Sequence, residues 1–226
     1  MLEWLFCPQC PACGIPSATL CDACAATLVE LGPACPRCAE PAEDAGVCRR
    51  CRRAPLPLDQ IVSPWKFGGQ LALAIRRLKL SQRGHVARDL APLWAPLVGA
   101  VAIAHDALVV PVGMHWRRRM MRGLDHAWLL AVHACADAGL PPPSAVLRRV
   151  KSSPPQRGLT ADERRENLVD AFSVRDKALV RGRAIALVDD VVTTGATLAA
   201  AAVALRDAGA SMVVGVALAR ATSAPR

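Results

Sequence analysis

Residues 184–198 read AIALVDDVVTTGATL, an apolar run that delivers two adjacent carboxylates, Asp189 and Asp190, into a loop of threonine and glycine. A loop of this kind opening a helix offers backbone N–H groups and the positive end of the helix dipole. Thr193, Thr194, Gly195, Ala196 and Thr197 add hydroxyls and close backbone approach, so a phosphomonoester fits there. Carboxylates repel phosphate but accept hydrogen bonds from paired hydroxyls, which suits a neighbouring polyol such as ribose. A capped strand-to-helix turn would also place acids at a helix start, with no ligand at all. Two charges ending an apolar strand are nonetheless costly to leave without a ligand or metal.

The other chemistry is that of sulfur. Ten cysteines are present, nine of them between Cys7 and Cys51, with Cys135 alone beyond. Cys10/Cys13, Cys21/Cys24, Cys35/Cys38 and Cys48/Cys51 are each C-x-x-C, separated by seven, ten and nine residues. One such pair sets two thiolates on one side of a metal, and two pairs complete a tetrahedral zinc site. Sequential assignment puts Cys10, Cys13, Cys21 and Cys24 on one Zn2+ and Cys35, Cys38, Cys48 and Cys51 on a second. Cys7 also stands C-x-x-C to Cys10 and could replace a ligand, but Gly14 after Cys13 supplies the permissive backbone a metal knuckle uses. A single zinc, redox-active dithiols and disulfides compete with this reading. Four thiolates leave zinc no open position for a catalytic water, so the metal is structural, and it supplies folding energy to about fifty residues that cannot bury much core. Cys135, on the apolar pattern of a helix, reads as a core residue.

These groups need a scaffold, and the chain changes character near residue 54, from cysteine, proline and turn residues to long apolar segments. The expected domains are a cysteine-rich double zinc ribbon at 1–54, a linker at 55–64 broken by Pro55, Pro57 and Pro64, and an α/β domain at 65–226. Leu71, Ala74, Ile75, Leu78 and Leu80 form the apolar side of a helix whose other side carries Arg76, Arg77 and Lys79. Residues 85–104 read as an interrupted helix, 107–111 as a buried strand, 123–138 as a helix, and 160–167 as a short helix opened by a Thr160/Glu163 capping box. Residues 184–190, 197–207 and 212–219 read as strand, helix and strand, a right-handed βαβ unit. The fold class is therefore α/β, a parallel sheet flanked by helices with a small cysteine module in front.

Composition sets limits on partners. Of 226 residues, 53% are hydrophobic and 21% charged, which fills a core and excludes a disordered chain. The net charge of +9 is nearly all arginine, with lysine only at Lys66, Lys79, Lys151 and Lys177, and arginine's fork favours a phosphorylated or polyanionic partner. Neither 96–104 nor 198–205 approaches the ~18 apolar residues needed to cross a bilayer, so no membrane insertion is expected. No basic and apolar leader begins the chain, and the expected location is cytoplasmic, where thiols stay reduced.

LVDDVVTTGATL resembles the phosphoribosyl pyrophosphate (PRPP) motif of type I phosphoribosyltransferases. With the cysteine knuckles in front of it, nearly the whole chain is similar to the ComF family, associated with DNA uptake in natural transformation. VVPVGMHWRRRMMRGLDHAWLLA at 109–131 resembles the family's VPVP loop and RGFNQ-like segment, and LRRVKSSPPQRGLTADERRENLVDAF at 147–172 its R-x-T-x-P-Q-x-x-L and R-x-x-N-x-x-x-A-F stretch. Gly113 replaces the second proline, RGLDH replaces RGFNQ, and Ser153 stands where threonine is usual.

The resemblance implies a PRPP site in which Thr193 to Thr197 hold the 5′-phosphate and Asp189 and Asp190 the ribose hydroxyls, with Mg2+. Pro111, Val112 and Gly113 would approach the pyrophosphate, with charge from Arg117, Arg118, Arg119 or Arg122, unless that run is only a solvated basic face. Gln156, Arg157, Arg164 and Asn167 would lie in a segment over the site. Thr193 stands where purine-salvage enzymes carry an acid, which disfavours an oxopurine acceptor. Two functions follow. One is a phosphoribosyltransferase with an unidentified acceptor. The other is a nucleic-acid-handling protein that uses the PRPP fold as sensor or scaffold and grips single-stranded DNA or a competence ATPase or helicase. Trp65, Trp116 and Trp128 are the candidate stacking platforms in a chain with no tyrosine.

Overall fold

The computed structural model describes residues 8–43, 46–80, 84–114, 125–150 and 171–222. Two cysteine modules come first, and they repeat one plan. In each, the third cysteine starts a single helical turn that carries the fourth: Cys21 precedes α1 (Asp22–Ala25) and Cys48 precedes α2 (Arg49–Arg53). The chain then runs β1 (Gln60–Val62), β2 (Trp65–Lys66), α3 (Gly69–Leu80), α4 (His85–Leu90), a 3-10 turn (Ala91–Leu93) and α5 (Ala95–Ala104). β3 (Leu108–Pro111), α6 (His126–Asp137), β4 (Leu147–Arg149), β5 (Phe172–Val174), β6 (Ala184–Val192), α7 (Ala196–Asp207) and β7 (Met212–Arg220) follow.

The main sheet is parallel throughout, in the order β1-β7-β6-β3, with β2 pairing β7 beyond β1. β6 and β7 are continuous apolar runs because both faces are covered. Alternation sends Ala186, Val188, Val214, Val216 and Leu218 to a face packed by α3 to α6, and Ile185, Leu187, Val213 and Ala217 to a face packed by α7. Leu198 of α7 is fully buried against that second face, and its truncation to alanine costs about 2–5 kcal/mol.

The cysteine modules straddle the sheet. Cys10, Ala12, Leu20 and Cys24 enter the first core, whereas Leu31, Cys35, Cys38, Ala39 and Cys51 enter the second. Between them, Leu31 N donates to Pro64 O at 2.9 Å and Lys66 N to Val29 O at 2.8 Å, so the chain that joins the modules pairs with the edge strand β2 and covers it.

Several local expectations change. The span expected as a linker, 55–64, carries β1, with Ile61 opposite Gly215 of β7, and buries Leu56 and Leu58. Three residues of strand between prolines give no periodicity to read. The interrupted helix at 85–104 is two helices broken at the 3-10 turn, with Pro92 and Pro96 at starting positions they tolerate. Leu80 ends α3 and is 84% exposed rather than facing the core. β6 runs two residues past Asp190, and α6 starts at His126. Cys135 is buried, as expected of a core thiol, and burial pushes it up to about 11. The expected helix at 160–167 lies outside the described residues. Among the described residues no single helix is long and apolar enough to cross a membrane.

Candidate functional site

Strand β6 delivers the two carboxylates into different surroundings, because successive strand residues project to opposite faces. Asp190, buried, meets α3, where Lys79 Nζ donates to Oδ1 at 2.9 Å and lies 2.8 Å from Oδ2. Asp189 turns back on its own strand, and its Oδ1 accepts from Asp190 N at 2.8 Å. Burial and the neighbouring Asp190 charge push Asp189 up to about 7, against the pull of Lys79 and Arg149.

The loop that follows is shaped by one glycine. Gly195 sits at φ +78, where L side chains are strained, and a Cβ there would lie 3.1 Å from Leu56 Cδ1 and 3.4 Å from Ile61 Cδ1. It precedes α7 and, having no side chain, provides no side-chain cap to the helix N-terminus. Thr194 Oγ1 accepts from Ala196 N at 3.3 Å and fixes the turn, while Thr193 is exposed and Thr197 half-buried on the first turn. The five expected phosphate-loop residues are thus contiguous around one helix start.

On the neighbouring strand, β3 ends at Pro111, and Val112 N extends the pairing to Val188 O at 2.8 Å. Val112 buries its side chain in the second core, so it can meet a ligand only through its backbone. A Cβ at Gly113 would lie 3.4 Å from the Leu147 carbonyl oxygen, an ordinary van der Waals contact. Beside it opens a cavity of about 390 Å³, lined by Gly113, Met114, Trp128, Arg148, Arg149 and Arg175 among others. Arg148 and Arg149 come from β4, and Arg149 lies over the Phe172 ring of β5 at 5.6 Å.

Asp125, the residue that stands where RGFNQ has asparagine, has a clear task here. Its carboxylate accepts from Trp128 N at 3.2 Å, capping α6, and from Met114 N at 3.0 Å, joining the helix to the β3 loop. Only acceptor oxygens are used, so aspartate serves. Arg117, Arg118, Arg119, Arg122, Gln156, Arg157, Arg164, Asn167, Trp116 and Cys7 lie outside the described residues.

The cysteines gather as two clusters, Cys10, Cys13, Cys21 and Cys24, and Cys35, Cys38, Cys48 and Cys51, each with its sulfurs within 4.8 Å of one another. Cys13 and Cys21 sulfurs are 3.7 Å apart, as are those of Cys38 and Cys48. That matches the separation of about 3.8 Å for sulfurs ~2.3 Å from a tetrahedral zinc. Cys21 N donates to Cys10 Sγ at 3.5 Å and Cys48 N to Cys35 Sγ at 3.3 Å, the same outer bond in both modules. Gly14 at φ +83 and Ala39 at φ +55 close equivalent turns.

Within each cluster the thiols are driven apart in charge. Burial raises Cys10, but the N–H groups of Cys21, Cys13 and Ala12 outweigh it and bring the thiol down to about 6. Burial, with Cys13, Cys21 and Cys10 beside it, pushes Cys24 up to about 12. Four thiolates so close need a cation, and the donor set fits structural zinc. Arg50 lies by the second cluster, where the charge of Cys38, Cys51 and Cys48 outweighs its burial and holds it protonated.

Lys79 and Arg220 were not singled out as site residues from sequence. In the sequence Lys79 reads as one charge of a basic helix face. Arg220, 1% exposed at the end of β7, carries the same signal that marked Asp189 and Asp190, a charge closing an apolar strand. Trp65 spends its Nε1 on Leu93 O at 2.8 Å and is half-buried, which makes it scaffold rather than a stacking platform.

Comparison with known proteins agrees with both halves. Residues 1–52 match the family model described as Double zinc ribbon domain, and residues 129–225 match Phosphoribosyl transferase domain. Competence protein F of Haemophilus influenzae is 32% identical over 179 residues, 77% of this chain and 78% of the relative. DNA utilization protein YhgH of Salmonella typhimurium is 32% identical over 211 residues, 90% of this chain and 80% of the relative. YhgH of Escherichia coli K12 is 31% identical over 170 residues, 74% of each chain.

Proposed function

Because this chain belongs to the ComF family, to which Competence protein F and the YhgH proteins are its relatives, we propose that it binds PRPP and serves the uptake or use of DNA. The observation that carries the ligand is the left-handed Gly195 turn at the start of α7, five residues beyond the buried carboxylate of Asp190. Thr193 to Thr197 would take the 5′-phosphate, and Asp189 and Asp190 the ribose hydroxyls. The backbone at Pro111 to Gly113 and the arginine-lined cavity beside it would take the pyrophosphate, with Arg117 or Arg122. Gln156, Arg157, Arg164 and Asn167 complete the proposed site.

In the transfer reaction the bond from the ribosyl carbon to pyrophosphate breaks as an acceptor attacks the opposite side, and no protein nucleophile is required. The arginines would stabilise charge on the departing pyrophosphate, and the carboxylates would orient the sugar as its ring gains positive charge. Asp189 and Asp190, with the oxygens of PRPP, would hold a magnesium ion, which would supply further charge to the leaving group. Thr193 in place of an acid disfavours an oxopurine as acceptor. Incubation with magnesium PRPP and a library of nucleobases and nucleotides, read by mass spectrometry for pyrophosphate, tests turnover. Release with one acceptor establishes a transferase, whereas binding without release makes the site a sensor.

For DNA, the specific observation is the turn α2, which exposes Arg49, Arg52 and Arg53 beside the second cysteine cluster. Phosphate contacts of this kind give affinity for single-stranded DNA that falls with salt and reads little sequence. Oligonucleotide affinity measured across salt concentrations tests it, and a flat dependence would transfer the DNA role to a protein partner such as an ATPase or helicase. Clusters of four cysteines that hold zinc, rather than pairing as disulfides, would suit the reducing cytoplasm.

A further inference from the structure

Arg220 closes β7 at a depth where arginine persists only with its charge and donors met. Its guanidinium reaches two separate segments of the chain. Nη2 pairs with the Glu40 carboxylate, and Nε donates to Ala39 O at 3.2 Å. Nη1 donates to Val192 O at 3.1 Å. Val192 is the final residue of β6, and Thr193 follows it directly.

Ala39 and Glu40 belong to the first turn of the second cysteine module. Ala39 N donates to Cys35 O and Cys35 N to Glu40 O, both at 2.8 Å, so the fork grips the turn that holds two of the four thiols. Ala39 is kept at φ +55, a conformation alanine holds only where its surroundings impose it. At the other end, Val192 O also accepts from Ala221 N at 2.9 Å, which fixes the point where strand becomes loop. One planar side chain thus joins the cysteine turn to the base of the phosphate loop, a task that needs arginine's several fixed donors. The first module makes a different contact: its Cys10 carbonyl accepts from Arg77 of α3 at 3.2 Å.

We propose that Arg220 and Glu40 are positioning residues through which the second cysteine module holds the phosphate loop in its anion-binding shape. This rests on the PRPP reading for the identity of the ligand, but not for the shape of the loop. The loop's affinity for a phosphoryl group therefore depends on an intact second module.

The test uses the full chain and three variants: Glu40→Ala, Arg220→Lys and Asp59→Ala. Asp59 accepts from Val213 N at 2.7 Å and pairs with Arg206, so it makes a comparable bond near the other end of β7. Zinc content, amide hydrogen exchange over Thr193 to Thr197 and calorimetric titration with magnesium PRPP are measured on each. Glu40→Ala should keep its zinc and its helices, while loop exchange quickens about tenfold and PRPP binding weakens about tenfold. Arg220→Lys should fall between this variant and wild type, and Asp59→Ala should leave loop exchange and binding unchanged. Wild-type exchange in folded Glu40→Ala would overturn the proposal, as would an equal change in Asp59→Ala. If the wild type ignores PRPP while loop exchange responds as stated, the ligand reading fails and the positioning role stands.

Discussion

Lys79 donates to one oxygen of Asp190 at 2.9 Å and lies 2.8 Å from the other, so the second of the two strand carboxylates is tied to a cation on α3. Replacing Lys79 by methionine leaves that carboxylate, 12% exposed at its side chain, without its counter-charge. Stability should fall by about 1–3 kcal/mol, between the values for exposed and fully buried pairs. Urea unfolding of Lys79→Met against Lys79→Arg checks this, and arginine should retain most of the wild-type stability.

Asp189 gives a pH signature. Burial and the Asp190 charge push its folded value to about 7, whereas an unfolded aspartate titrates near ~4. Between those values the folded chain keeps a proton that the unfolded chain has released, so this group makes stability fall as pH rises from about 4 to about 7. The slope reaches at most about 1.4 kcal/mol per pH unit. Asp189→Asn should remove that component, and parallel pH profiles for the two proteins would contradict it.

The two thiol clusters predict about two zinc ions per chain in protein purified without added metal. Cys35→Ser should lose one ion and unfold the second module, with the sheet largely retained. Metal analysis with thiol titration measures both. Less than half an ion per chain, with the thiols found as disulfides, would show that the sulfurs pair with one another.

The repeated C-x-x-C spacing and the run from Ala184 to Thr197 were legible because each concentrates its signal in consecutive residues. The sulfur clusters form as their order in the chain implies, and β6, α7 and β7 form the expected parallel unit. What the sequence hid was contact across long separations. β1 and β2 are too short for periodicity and owe their existence to pairing with β7. Lys79 meets Asp190 across 111 positions and Arg220 meets Glu40 across 180, and no local pattern marks either pair. The task of Asp125 is equally non-local: it accepts from Met114 N across 11 positions as well as capping its own helix, which needs oxygens and no amide.

The most direct measurement is calorimetric titration of the full chain with magnesium PRPP, alongside folded Asp190→Ala and Gly195→Val. The wild type should bind at one site per chain. Asp190→Ala should lose the sugar contacts, and Gly195→Val should block the loop, since its φ of +78 and the Leu56 contact at 3.1 Å leave no place for a branched side chain. Each change should weaken binding at least about tenfold, the loss of roughly 1.4 kcal/mol. No heat of binding in the wild type, or equal affinity in both variants, would contradict PRPP recognition and leave the loop a structural turn.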